Sequence, residues 1–166
     1  MPEIIVIAHN IRSTHNVGAI FRTAEGFGVK RIILSGYTPY PQLAGDTRLP
    51  HIAEKLTAQI HKTALGAEVM VPFEYQEIPD IASLKQAGYT IVGLEQDEQA
   101  ILLQTYEAPS KIALFLGEEV EGISDTFRRL CDTLIEIPMQ GDKESFNVSV
   151  AAGIALYGLI YSDVKH

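Results

Sequence analysis

The chain has 166 residues, 46% of them hydrophobic and 20% charged, with a formal net charge of −8. That length suits one domain over 1–166 with a sizeable core, and the composition is that of an ordinary globular protein. A lone Cys131 excludes a disulfide framework and a thiol cluster for zinc or iron–sulfur, which points to a reducing cytoplasm.

The amino terminus, Met1-Pro2-Glu3, lacks the basic flank of a signal peptide, and no early apolar run is long enough to span a membrane. As a sum, the charge argues against a nucleic-acid partner, because phosphate contacts need Lys and Arg. Its distribution leaves room for one. Arg12, Arg22, Lys30, Arg31 and Arg48 stand against Glu3, Glu25 and Asp46 in the early chain, while the acids collect between Glu68 and Asp142.

Apolar, β-rich runs fall at Ile4–Ala8, Arg31–Ser35, Glu68–Val71, Tyr89–Leu94, Ile112–Leu116 and Leu134–Ile137, with helical patterns between most of them. This alternation predicts an α/β fold, a mostly parallel sheet flanked by helices on both faces. After the first run, Asn16 is placed to cap a helix whose apolar positions Val17, Ile20, Ala24 and Phe27 recur at helical spacing. Gly18, Arg22 and Glu25 share its other face. Arg22 either pairs with Glu25 one turn on or aims into a ligand crevice, near a phosphate or a developing oxyanion. Tyr37–Pro50, rich in Pro and Gly, reads as a long loop, and loops of that length tend to be functional.

Further on, Ala113–Leu116 is a buried strand that ends in Gly117 and an acidic loop, followed by a helix capped by Ser124. Gly117 permits close backbone approach to a ligand. Glu118, Glu119 and Glu121 are plain surface charge or include one aimed at the crevice, and spacing does not choose. The last unit is a strand stopped by Pro138, a Gly/charged loop, and an apolar helix from Asn147 to about Tyr161. Asn147 can cap that helix, and a capped helix start facing a strand end is where α/β proteins bind small polar ligands. The helix has small or apolar residues nearly all round, which predicts burial on every side and hence a subunit interface. There is no G-x-G-x-x-G after the first strand and no G-K-[ST], against a Rossmann dinucleotide site or a P-loop. His9, His15, His51, His61 and His166 show no metal-ligand spacing.

Three segments, in this order, resemble the motifs of the SpoU (TrmH-like) branch of the SPOUT RNA methyltransferases, which methylate ribose 2′-hydroxyls. They are Asn16-Val-Gly-Ala-Ile-Phe-Arg22-Thr23, then Leu116-Gly117-Glu118-Glu119-Val-Glu-Gly122-Ile-Ser124, then Ile137-Pro138-Met139, Gly141 and Ser145-Phe146-Asn147-Val148-Ser149-Val150-Ala151. The resemblance implies a carboxyl-terminal trefoil knot, rare among folds, S-adenosylmethionine as cofactor, and a homodimer without metal or membrane. It implies Arg22 as the catalytic residue, with Asn16, Glu119, Ser145 and Asn147 around it. The cofactor would lie against Leu94, Glu95, Gly117, Ile137, Met139, Ser145 and Phe146. Arg12, Arg22 and Arg48 would face RNA, tRNA before rRNA, with Arg12 or Arg48 reaching the partner's pocket across the two-fold axis.

Two departures stand out. Many relatives have Leu in place of Phe146, and the first motif starts at residue 10, so no amino-terminal RNA-binding domain is expected and substrate choice falls to the dimer surface. In the chemistry implied, the sulfonium methyl is already activated, so the protein aligns an oxygen and handles a proton. A guanidinium is an awkward base; a protonated Arg22 that binds phosphate and stabilises the forming alkoxide needs less perturbation, and its protonation state stays open. A non-catalytic RNA-binding or assembly protein on the same scaffold is one alternative. A doubly wound small-molecule enzyme, favoured by the acidic charge, is another.

Overall fold

β1 (Glu3–His9) is almost continuously apolar because it lies inside a sheet covered on both faces. Ile4, Val6 and Ala8 face one side and Ile5 and Ile7 the other, each within a separate core cluster. The computed structural model describes residues 1–161; His166 lies outside them. With β1, the strands β2 (Arg31–Ser35), β3 (Phe73–Gln76), β4 (Thr90–Leu94), β5 (Ile101–Leu102), β6 (Lys111–Leu116) and β7 (Thr133–Glu136) form one sheet. The order is β3-β2-β1-β6-β4-β7-β5, and its strand pairs run parallel. The expected parallel α/β sheet is therefore present.

One face carries α1 (Thr14–Gly26), α2 (Pro50–Ala64), α3 (Ala67–Met70) and α6 (Val148–Tyr161). On the other lie α4 (Ile81–Gln86) and α5 (Asp125–Leu130), over Ile5, Ile7, Ile33 and Phe115. Each of those fully buried side chains is worth about 1.5–3 kcal/mol of apolar transfer. Cys131 packs against this second cluster, and burial pushes its thiol up to about 11, which keeps it protonated at neutral pH. Among the described residues, no helix is long and apolar enough to cross a membrane, and no group of His, Cys, Asp and Glu is placed to hold a metal ion.

Three sequence expectations change. Glu68–Val71 is not a strand. Ala67–Met70 is one helical turn, because the Glu68 carboxylate accepts from the Gly66 N–H at 2.9 Å and bonds His61, a local closure that overrides β propensity. The third strand forms after Pro72 instead, and two-residue β5 is too short to register as a pattern. The first helix starts earlier than expected. Ser13 is its cap, its Oγ accepting from the Asn16 N–H at 3.2 Å, so Asn16 sits in the first turn with its side chain free for other work.

Gly18 is the third correction. It is buried, not on an open face, and it is where α1 meets α2. A Cβ there would fall 2.1 Å from Thr63 Oγ1 and 2.3 Å from the Ile60 carbonyl oxygen. Backbone cannot yield as a flexible side chain can, so the helices would have to part. Gly18→Ala is expected to destabilise the protein by about 1–3 kcal/mol despite the better helix propensity of Ala. Urea denaturation of the variant against the parent checks this; an unchanged or raised midpoint would mean that the two helices slide apart freely.

Candidate active site

Asn147 caps α6. Its Oδ1 accepts from the N–H groups of Ser149 (3.0 Å) and Val150 (3.4 Å) and from the Ser149 hydroxyl (2.6 Å). Because backbone N–H groups can only donate, the carbonyl of the Asn147 amide must face them. Its Nδ2 is thereby turned outward and donates to Asn16 Oδ1 at 3.1 Å. Asn16 is oriented in turn, and its Nδ2 donates to Glu119 Oε1 at 2.7 Å. The other carboxylate oxygen, Glu119 Oε2, accepts the Arg12 N–H at 3.2 Å. Three distant segments are joined in a chain with a single polarity, from the α6 N-terminus to a carboxylate.

That carboxylate belongs to the wall of a cavity of about 500 Å³ at the carboxyl ends of β4, β6 and β7. Ligands of open α/β sheets bind outside these strand ends. Leu94, Leu116, Ile137, Phe146, Val148 and Ala151 supply apolar walls; Gly117, Gln96 and Ser145 are also in the lining. The remaining polar lining is acidic: Glu95, Glu118, Glu119, Glu121, Glu136 and Glu144. Such a volume lies within the range of roughly 300–1,000 Å³ typical of small-ligand sites.

The loop over β6 is tightly built. Glu118 and Gly122 form a small antiparallel bridge, and a Cβ on Gly117 would fall 2.6 Å from the Ile123 nitrogen. Glu95 anchors this loop, one carboxylate oxygen accepting the Ile123 N–H at 2.7 Å and the other the Gln96 N–H at 3.2 Å. Gly122 must lack a side chain, since a Cβ would meet that carboxylate at 2.1 Å, and its φ of +71° suits glycine. Behind Glu95, Arg128 approaches at 3.9 Å and pairs with Asp97 at 2.5 Å.

Of the residues named from the sequence, Leu94, Glu95, Gly117, Glu119, Ile137, Ser145 and Phe146 line the cavity together, and Asn16 and Asn147 stand behind Glu119. Met139 is not in the lining. Arg22 is not either: it projects from the exposed face of α1, and among the described residues it forms no ion pair with Glu25. Arg48 is turned inward, its guanidinium spent on Asp46 and the carbonyls of Tyr40 and Pro41. It holds the Asp46 carboxyl far below the usual carboxylate range. The anchoring by Glu95 and the pairing of Arg128 with Asp97 escaped sequence reasoning, since both depend on contacts between distant segments.

A parallel sheet covered on both faces, with a polar-ended cavity at its strand ends, defines an α/β protein built to hold a small ligand beside a helix start. Comparison makes this specific. The profile of the SpoU rRNA Methylase family matches residues 3–157, and the chain belongs to that family. It is 34% identical over 160 residues to the 23S rRNA (guanosine-2'-O-)-methyltransferase RlmB of Nitrosomonas europaea, covering 94% of this chain and 55% of that protein. The Coxiella burnetii protein of the same name is 32% identical, with 94% and 57% covered. The chain thus spans a little over half the length of these relatives. Among solved structures, an rRNA methyltransferase from Sinorhizobium meliloti superposes with a TM-score of 0.80 at 25% identity, over 98% of this chain and 57% of that one. The A. aeolicus TrmH/SpoU tRNA modifying enzyme does so with a TM-score of 0.76 at 25% identity, over 98% and 76%.

Asn147→Ala is expected to cost about 1 kcal/mol through the lost cap, and to free Asn16 and Glu119. Asn147→Ser should restore most of that stability, because a hydroxyl still caps, without restoring the bond to Asn16. Thermal denaturation of both variants checks this; equal losses would place the stabilisation in the Asn16 bond instead of the cap.

Proposed function

We propose that the chain is an S-adenosylmethionine-dependent RNA methyltransferase that transfers a methyl group to a ribose 2′-hydroxyl. The observation that carries this reading is the hydrogen-bond chain Asn147–Asn16–Glu119, which joins the three motif segments at the wall of one cavity. The names of the relatives support it, and so does the rRNA methyltransferase title of the Sinorhizobium meliloti structure. Both rRNA and tRNA enzymes occur among the similar proteins. Transfer RNA, being small and accessible in the cytoplasm, is the first substrate to try. The trefoil knot and the 1–166 domain belong to the same proposal.

The lining fits the cofactor. Apolar walls at Leu94, Leu116, Ile137 and Phe146 suit a flat adenosyl group, and the surrounding glutamates suit a sulfonium cation. When bound, it supplies an electrophilic methyl carbon. The protein's own part is positional. Glu119, held at both oxygens, keeps the Arg12–Asn16 turn against the loop after β6. Asn147 keeps α6 and the loop before it in register with that turn. Arg22, whose guanidinium makes no ion pair among the described residues, is suited to grip a phosphate and stabilise an alkoxide as the hydroxyl proton leaves.

Arg22 does not face its own cavity, which supports completion of the site by a second copy. α6 leaves Val150, Ile154, Tyr157 and Tyr161 exposed as an apolar stripe, with Val150 50% and Tyr157 62% open. Thr23, next to Arg22 in α1, lies against Gly153 of α6, so α1 and α6 are neighbours at this point. Two chains joined along this stripe would cover it and carry each Arg22 toward the partner.

Arg22→Ala is expected to abolish methyl transfer, a loss of at least about a thousandfold, while cofactor affinity by calorimetry and thermal stability stay near parental values. Transfer at the parental rate would remove Arg22 from the mechanism. Separately, Ile154→Asp should yield inactive monomers or aggregates in light scattering; a folded, active monomer at micromolar concentration would refute the composite site.

A further inference from the structure

A second cavity, of about 630 Å³, lies between the Arg12–His15 turn, the loop after β2 and α2. Its chemistry is the reverse of the first. Among the described residues no Asp or Glu lines it, while Arg12, Arg48, His15 and three tyrosines do. One wall is rigid: Tyr40 and Tyr75 are stacked with centroids 4.2 Å apart, and the Arg48 guanidinium sits 3.5 Å over Tyr40, fixed by Asp46. The Tyr75 hydroxyl donates to the Gly36 carbonyl at 2.6 Å.

Tyr37 differs from these two. Its backbone is held, the N–H donating to Asn10 Oδ1 at 3.1 Å, with Asn10 at φ 56° and Gly36 at φ 64°. The residue is 48% exposed. The Arg12 guanidinium lies 5.7 Å from its ring and has no carboxylate partner in an ion pair among the described residues. Tyr37 lines this groove and Glu118 lines the first cavity, so the ring stands at the border of the two; burial and Glu118 push its phenol above the ordinary value. Arg12 bridges them as well, since its own N–H is bound by Glu119.

We propose that this groove is a subsite for a nucleotide of single-stranded RNA next to the one methylated, its base stacking on Tyr37 and its phosphate meeting Arg12. The inference rests on the methyltransferase reading above. A polyanion is repelled by the glutamates of the first cavity, and the groove beside it, with the Arg12 guanidinium and no Asp or Glu among its described lining residues, is the less acidic approach, Glu118 standing only at its border. Single-stranded RNA is gripped in this manner elsewhere, with splayed bases on aromatic rings and phosphates on basic side chains.

The chain contains no Trp, so Tyr37→Trp introduces one fluorophore that can still stack. Titrated with an eight-nucleotide oligoadenylate at low salt, its emission is expected to fall in step with binding measured by anisotropy of the labelled oligonucleotide. Polyphosphate, with the charge but no base, should leave that emission unchanged. Tyr37→Ala should weaken oligoadenylate binding about tenfold, within the range for loss of one stacked base. Arg12→Gln should weaken it several-fold and flatten the salt dependence by about one phosphate contact. In both, affinity for S-adenosylmethionine should be unchanged. Anisotropy that reports binding while the indole emission stays constant overturns the subsite, as does equal quenching by polyphosphate, or no binding of the oligonucleotide at millimolar concentration. Failure of the unaltered protein to bind S-adenosylmethionine overturns the methyltransferase reading instead, so the two failures are distinguishable.

Discussion

The geometry of the candidate site depends on the fixed polarity of the backbone N–H groups that open α6. They can only donate, so Asn147 must present its carbonyl to them; its amide nitrogen then points at Asn16, and Asn16 points its own nitrogen at Glu119. Neither amide in this series can flip without leaving a donor facing a donor or an acceptor facing an acceptor. A helix end has thereby set the direction of a carboxylate on a segment nearly thirty residues earlier in the chain. It is a preorganised site in the strict sense, with orientation settled before any ligand arrives.

Electrostatics divide the surface along the same line. An overall charge of −8 looks ill suited to RNA until its placement is seen. Acid is concentrated around the cavity at the ends of β4, β6 and β7, where a cation is proposed to bind, and among the described residues no Asp or Glu lines the neighbouring groove. Arg12 spans the boundary, its backbone committed to the acidic side and its guanidinium to the other. Net charge reports neither arrangement.

The parallel sheet, its alternation with helices and the cap on α6 were legible in the sequence, because each follows from local periodicity or a single side chain. What was not legible depends on which partner a side chain chooses, whether distant or two residues away. Asn16 looked like a cap because an Asn precedes an apolar helix; Ser13 takes that place, and the Asn is released for Glu119, a partner 103 positions away. Glu68–Val71 has strand-like residues but closes on its own carboxylate. Gly18 looked solvent-facing on helical spacing until α2 packed across it. Arg48, read as a surface cation, is drawn inward by Asp46, two residues before it. Glu95 was named from the family resemblance, yet its work as the anchor of the Ile123 N–H is visible only when β4 and the loop after β6 are adjacent.

β7 has a consequence for biogenesis. It pairs with β4 on one side and β5 on the other, both of which precede it in the chain. During synthesis those two strands exist for some thirty residues with an empty slot between them, and their exposed edges are available to wrong partners until Thr133–Glu136 arrives. The floor of the ligand cavity is laid at that moment, and its rim only later, when Asn147 reaches Asn16. The proposed cavity is therefore completed after the sheet, so that a chain stalled between residues 136 and 147 has all seven strands but lacks the Asn147 bond to Asn16.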